Sequence, residues 1–174
     1  MSFIIVILPT LNYEKKLWNS GYQLVAGIDE AGRGSWAGPV VAAAVIFPPT
    51  ISIPEGLRDS KLLPPRRREE LFEVIKSLAT AYSIAEIGVP IIDRVGIGRA
   101  TQYAMRRALR QLEPAAEFHL IDYYSLKYIP KSKQKPIKFG DKLCASIAAA
   151  SILAKVHRDH LLVELGRQYP SYAF

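Results

Sequence analysis

Two apolar runs in this chain end on an aspartate. Residues 22–29 read Tyr-Gln-Leu-Val-Ala-Gly-Ile-Asp and residues 118–122 read Phe-His-Leu-Ile-Asp. Short apolar runs of this kind are buried strands, and carboxylates at the ends of adjacent strands can converge on a cation while the sheet holds them rigid. The first run breaks into Gly32-Arg33-Gly34, and the next, Val40 to Phe47, is closed by Pro48-Pro49. Tyr82 to Ile87 reads as a further strand. Between these, Leu71, Phe72, Ile75 and Leu78 recur at helical spacing over residues 66–79. Pro90 opens a second helical stretch to Leu112, with Ile97, Ala100, Thr101, Ala104 and Ala108 on one face and Arg99, Arg106, Arg107 and Arg110 off it. From Leu143 to Arg167 the chain is Ala-rich, with no glycine or proline before Gly166, as expected of one long helix. The pattern predicts one α/β domain over residues 1–174, a mixed sheet flanked by helices.

Charge narrows the class of partner. The 174 residues carry 23 Lys+Arg against 16 Asp+Glu, a net charge of +7, which favours nucleic acid first and a membrane surface second. The single cysteine, Cys144, cannot form an internal disulfide or a thiolate zinc site, so a reducing, cytoplasmic setting is expected. Residues 3–8 are apolar but far short of the ~20 residues of a membrane span, and are expected to form a strand or a packed arm within an N-terminal arm over residues 1–20.

Several residues carry chemistry or a plainer role. Asp29 and Asp122 close the two strands, and Glu30 follows Asp29. Because neighbours in a regular strand face opposite ways, Asp29 and Glu30 serve one site only if the strand ends or bulges there. Asp141 is a third acid, where a loop of six lysines over residues 127–142 meets the long helix; taken alone, a helix N-cap explains it well. Carboxylates without His or Cys companions select a hard divalent cation over zinc. His119, His157 and His160 show no ligand spacing and are expected in surface or core roles. Arg33 between two glycines offers a phosphate contact with close backbone approach. Lys61, in Asp59-Ser60-Lys61, is either part of a turn leading into a helix or a phosphate contact. The lysine loop is either a solvated tip or a nucleic-acid contact.

The string Gly27-Ile28-Asp29-Glu30-Ala31-Gly32-Arg33-Gly34, followed by Gly38-Pro39-Val40-Val41-Ala42, resembles the signature of type 2 ribonuclease H (ribonuclease HII). The resemblance continues through Leu57 to Lys61, Ile97 to Ala104, Asp122, Asp141, Ser146 to Val156 and Arg158-Asp159. The leader, with Pro9-Thr10-Leu11, Tyr13-Glu14 and Leu17-Trp18, is similar to bacterial members. It implies a ribonuclease H-like fold, with three antiparallel strands then parallel additions, and an endonuclease that cuts the RNA strand of RNA/DNA hybrids and nicks duplex DNA 5′ to an embedded ribonucleotide. By position, the family's metal-binding carboxylates fall on Asp29, Glu30, Asp122 and Asp141, holding two Mg²⁺ or Mn²⁺ ions. Asp159, 18 residues past Asp141, is about 27 Å away along a continuous helix and cannot share that pair.

The same resemblance puts Gly32, Arg33 and Gly34 at the ribose 2′-hydroxyl and Lys61 at a phosphate. It implies action on nucleic acid; a monomer with no membrane partner is expected, and recruitment by a sliding clamp is left open. Two departures stand out. Tyr123-Tyr124 follows Asp122 where members commonly have glycine. The chain also stops before the family's Lys-Gly-Tyr segment, so its C-terminal helical extension is expected to be absent. A hybrid-binding module of weak or no activity, and another nuclease or transferase of the same superfamily, are the rival readings.

Overall fold

A computed structural model describes residues 7–172. The sheet has the order β3-β2-β1-β4-β5, formed by β1 (Val25–Ala31), β2 (Val40–Ile46), β3 (Ala81–Ile87), β4 (Phe118–Asp122) and β5 (Gln134–Ile137). The first three strands form an antiparallel meander, and β4 and β5 add in parallel beyond β1. Six helices surround it: α1 (Asn12–Asn19), α2 (Pro65–Leu78), α3 (Val89–Val95), α4 (Ile97–Arg110), α5 (Gly140–Leu143) and α6 (Ala145–Gln168). The expected mixed α/β sheet is therefore present.

The core has two layers, split by the alternation of strand side chains. Val25 and Leu120 point to the face covered by α1, α2 and α6. Ala26, Ile28 and Ile121 point to the other, covered by α4. All seven residues of β2 are buried, and its central Ala42-Ala43-Ala44 keeps both faces shallow, so that helices seat closely on each side. Gly27 is required at the tightest point: a Cβ there would overlap the Ser146 carbonyl carbon and the Ile147 backbone nitrogen of α6.

A helix, α1, lies within the N-terminal arm, and of the run at residues 3–8 only Ile7 and Leu8 lie within the described residues, so the strand or packed arm expected there falls outside them. Three local expectations need correction. The helix opened by Pro90 breaks at Gly96, which has φ +81°, separating α3 from α4. The lysine loop contains β5. The long helix begins at Ala145, preceded by extended Cys144 and the single turn α5.

The start of α6 is held by α1. The Glu14 carboxylate, fully buried, accepts from the Ser146 backbone N–H at 2.8 Å, the Ser146 hydroxyl at 2.7 Å and the Cys144 thiol at 3.1 Å. A carboxylate at a helix N-terminus satisfies otherwise unbonded N–H groups and complements the helix dipole. Burial and the neighbouring Glu14 hold the Cys144 thiol well above its ordinary pKa, in its neutral form.

Candidate active site

Parallel pairing of β1 and β4 sets Ile28 opposite Ile121, so Asp29 and Asp122 are the next residues on each strand. Both continue the face that α6 covers, with Val25 and Leu120. Asp141 arrives from α5, directly after Gly140, whose N–H donates to the Asp122 carboxylate at 2.7 Å. Three acids remote in sequence thus meet at one sheet edge. β1 does not end at Asp29, as one shared site seemed to demand; it pairs with β2 without interruption to Ala31, opposite Val41. Glu30 therefore leaves the strand on the other face, and strand pairing with β4 stops at Ile28, which leaves that side of the edge open. Its carboxyl still feels Asp122.

The electrostatics are those of crowded, desolvated acids. Burial, then Glu30, Asp122 and Asp141, hold the Asp29 carboxyl well above the usual carboxylate range. Burial also raises Glu30, with Asp122 adding to it and Arg33 and Lys61 opposing. Asp122 is raised by burial against the Gly140 hydrogen bond, and Asp141 by burial, Asp59 and Asp122. Lys61 is the counter-charge: its Nζ stands 3.8 Å from Asp141 on a side chain 79% exposed. Burial pulls its pKa down, but the surrounding Asp59, Asp141, Asp29 and Asp122 together leave it raised.

This donor set fits a divalent cation, since uncompensated carboxylate charge in a desolvated site is what a hard ion neutralises. Among the described residues no three of these groups are gathered tightly enough to cage one ion.

The turn that follows Gly32-Arg33-Gly34 is held by α6. Arg158, 5% exposed, donates from Nε to the Pro39 carbonyl at 3.0 Å and from Nη2 to the Ala37 carbonyl at 2.8 Å. Gly32 has φ +98°, and a Cβ there would collide with the Arg158 guanidinium and lie 2.6 Å from the Pro39 carbonyl. Gly34 is different: nothing lies within 4 Å of a Cβ there. The Arg33 guanidinium stacks 4.3 Å from the Tyr124 ring centre. Tyr123, in the place where the resembled family commonly has glycine, has φ +62°, the left-handed conformation that glycine adopts most easily.

Asp59, Arg158 and Tyr124 are missing from the residues singled out as site candidates. Asp59 is 4% exposed and accepts from the Lys61 backbone N–H at 3.0 Å, shaping the turn that presents Lys61. Its signal in the sequence is the Asp59-Ser60-Lys61 turn itself. Asp159 lies elsewhere, bound by Lys155 at 2.6 Å and Arg68 at 3.4 Å. The lysine loop divides between the two ends of β5: Lys133 stacks on Tyr22 beside His119, whereas Lys142 lies beside Asp141. His157 and His160 face Glu86 and Glu69.

A profile of the ribonuclease HII family matches residues 26–174. A ribonuclease HII of Ruminiclostridium cellulolyticum is 51% identical over 164 residues, covering 94% of this chain and 64% of the relative. The chain thus spans less than two thirds of that relative's length. Among solved structures, ribonuclease H2 of Pyrococcus horikoshii superposes with a TM-score of 0.72 at 25% identity, covering 84% of this chain and 77% of that one. The ribonuclease HII of Archaeoglobus fulgidus, solved in complex with PCNA, gives 0.67 at 28% identity over 84% of this chain and 78% of that one.

Proposed function

The chain belongs to the ribonuclease HII family, and from that premise we propose that it is an endoribonuclease that hydrolyses the RNA strand of RNA/DNA hybrids and nicks duplex DNA 5′ to an embedded ribonucleotide. The observation that carries the reading is the meeting of Asp29, Asp122 and Asp141 at the C-terminal ends of two parallel strands, next to a Gly-Arg-Gly loop anchored by a buried arginine. Asp29, Asp122 and Asp141 would hold the metal from the face that α6 covers, and Glu30, whose carboxyl feels Asp122 where pairing with β4 has stopped, would join them from the other side. Mg²⁺ or Mn²⁺ ions bound there, two in number, supply an activated water and stabilise the leaving 3′-oxygen.

The chain's own residues do the remaining work. The bare Gly32 backbone allows close approach to the sugar, where a 2′-hydroxyl distinguishes RNA from DNA. Arg158 fixes that loop before substrate arrives, so little ordering is left to binding. Arg33 offers a guanidinium fork to a phosphate. Lys61, exposed and only loosely paired with Asp141, offers its ammonium to a backbone phosphate. Such contacts are to the backbone and carry no base information, so weak sequence preference and strong salt dependence follow.

On the likeness to the Archaeoglobus protein solved with PCNA, we extend the proposal to recruitment of a monomer by a sliding clamp in the cytoplasm. Among the described residues no helix is long and apolar enough to cross a membrane.

The test is cleavage of an end-labelled DNA duplex carrying one ribonucleotide, with Mg²⁺, Mn²⁺ or EDTA. A metal-dependent nick 5′ to the ribonucleotide, lost in Asp122→Asn, supports the reading. Binding without a nick would replace it with the hybrid-binding module, and equal cleavage of all-DNA duplex would replace it with a nuclease of no ribose selection.

A further inference from the structure

A basic, aromatic surface runs away from the carboxylates beside α4. It begins at Arg33 as a groove of about 520 Å³ that also takes in Arg99, Tyr103, Tyr124 and Tyr128. A second hollow of about 340 Å³ continues it, sharing Gln102, Lys127 and Tyr128 and ending on Arg106 and Arg110. Four arginines and one lysine line the two together, with no acid among the lining residues. The floor is fixed: Gln102 donates from Nε2 to the Ser125 carbonyl and accepts from the Lys127 N–H, each at 3.3 Å. Of the rings, Tyr124 is flanked by Tyr123 at 4.7 Å and by Arg33. Tyr103 and Tyr128 are 40% and 70% exposed, and Arg106 backs one face of Tyr128 at 4.8 Å.

We propose that this groove binds single-stranded nucleic acid: a strand that continues, unpaired, from the duplex held at the carboxylates. The inference rests on the proposed hybrid nuclease, because that reading brings a strand to Arg33. Among the described residues, cations in a groove that no acid lines call for a polyanion. Exposed rings set among them call for one whose flat faces are free to stack, which a single strand has and a paired duplex has not. Arg99 to Arg110 spans about 16 Å of helix, room for a few nucleotides of an extended strand. Bases stack on Tyr103 and Tyr128, and phosphates meet Arg99, Lys127, Arg106 and Arg110.

The experiment has two arms, both on the full chain. The first measures binding of fluorescent oligo-dT of eight nucleotides. The second compares KM for a ribonucleotide-containing duplex that is blunt with one bearing a six-nucleotide single-stranded tail. The expected result is measurable oligo-dT binding, weakened roughly fivefold or more by Tyr128→Leu and by Arg106→Gln but retained in Tyr128→Phe. The tail should lower KM about fivefold in the parent and not in the two weakened variants, while blunt-duplex cleavage is equal in all. No oligo-dT binding, binding indifferent to Tyr128 and Arg106, or equal losses on blunt and tailed duplex would overturn the proposal. Competition by poly-glutamate as strong as by oligo-dT would also overturn it, giving the surface to an acidic protein. Tyr128-dependent oligo-dT binding with no cleavage of either duplex would leave the groove standing and reject the nuclease reading instead.

Discussion

Replacing Glu14 tests whether one buried carboxylate couples the first helix to the longest. In Glu14→Ala, the Ser146 N–H and hydroxyl and the Cys144 thiol lose their shared acceptor inside the core, 132 and 130 positions away in sequence. A hydrogen bond to a charged group contributes about 1.5–3 kcal/mol and a buried donor left unmet costs about 1–3 kcal/mol. Removing negative charge from the N-terminus of α6 adds up to ~2 kcal/mol. Against this stands relief of a desolvated carboxylate, one of whose oxygens, Oε2, has no hydrogen-bond partner among the described residues. These terms overlap, and the net expected loss is about 4 kcal/mol. At roughly 2–4 °C per kcal/mol for a domain of this size, Tm should fall by about 8–16 °C. Glu14→Gln keeps an acceptor at the Oε1 position and should lose only about 1–2 kcal/mol. Equilibrium urea unfolding reads both, with the midpoint moving and the slope m unchanged. An alanine variant within about 1 kcal/mol of the parent, or a glutamine variant that falls as far as alanine, would refute the reasoning.

Three further outcomes follow from the same geometry. Gly32→Ala, at φ +98° and against the Arg158 guanidinium, should lower cleavage of the ribonucleotide-containing duplex at least tenfold and cost about 1–2 kcal/mol; unchanged kinetics would mean that the loop is not fixed as described. Mg²⁺ or Mn²⁺ at about 100 times its Kd should stabilise the fold by about 2.7 kcal/mol, read as a rise in Tm. Asn in place of Asp29 should raise Tm without metal, by removing a buried charge crowded by Glu30, Asp122 and Asp141, and should weaken the metal-dependent rise; a variant that responds like the parent would remove Asp29 from the site. Burial and the nearby Lys133 lower the His119 pKa to about 4, from 6.5, so the folded state holds fewer protons than the unfolded state between those values. Stability should therefore drop as pH falls from 6.5 to 4 and level off below. For this partly exposed ring the loss is about 2 kcal/mol. The raised carboxylates act in the opposite sense, so His119→Phe isolates the effect; a parent and variant with the same pH dependence would disprove it.

What was legible in the sequence is what depends on local pattern. Apolar runs closed by Asp29 and Asp122 gave the strands that carry the site, and helical spacing at Leu71 and Ile75, both buried in α2, gave a helix and its inward face. Asp29, Glu30 and the Gly-Arg-Gly loop stood out because they form one contiguous motif, whereas Asp141, which by itself reads as a helix N-cap, is assigned only by the resemblance. The misses share a cause. β5 points only Gln134 and Ile137 inward and exists by pairing with β4, a non-local bond that leaves no periodic trace. α1 buries Glu14, an acid whose partners lie in α6, so its inward face does not look apolar. Arg158 reads as one more surface cation of a basic chain until the fold lays the carbonyls of Ala37 and Pro39 across it.

The amino-acid sequence alone marked candidate residues for the chemistry and the strands and helices of strong local pattern, because side-chain type and short-range spacing are local properties. Only the tertiary structure decided that Asp29 and Asp122 stand side by side, that Glu30 leaves the strand on the opposite face, and that Asp59 joins the acids around Lys61. The physical reason is register. Parallel pairing of strands some ninety residues apart, and the packing of one helix across them, set distances and desolvation that no neighbourhood along the chain encodes.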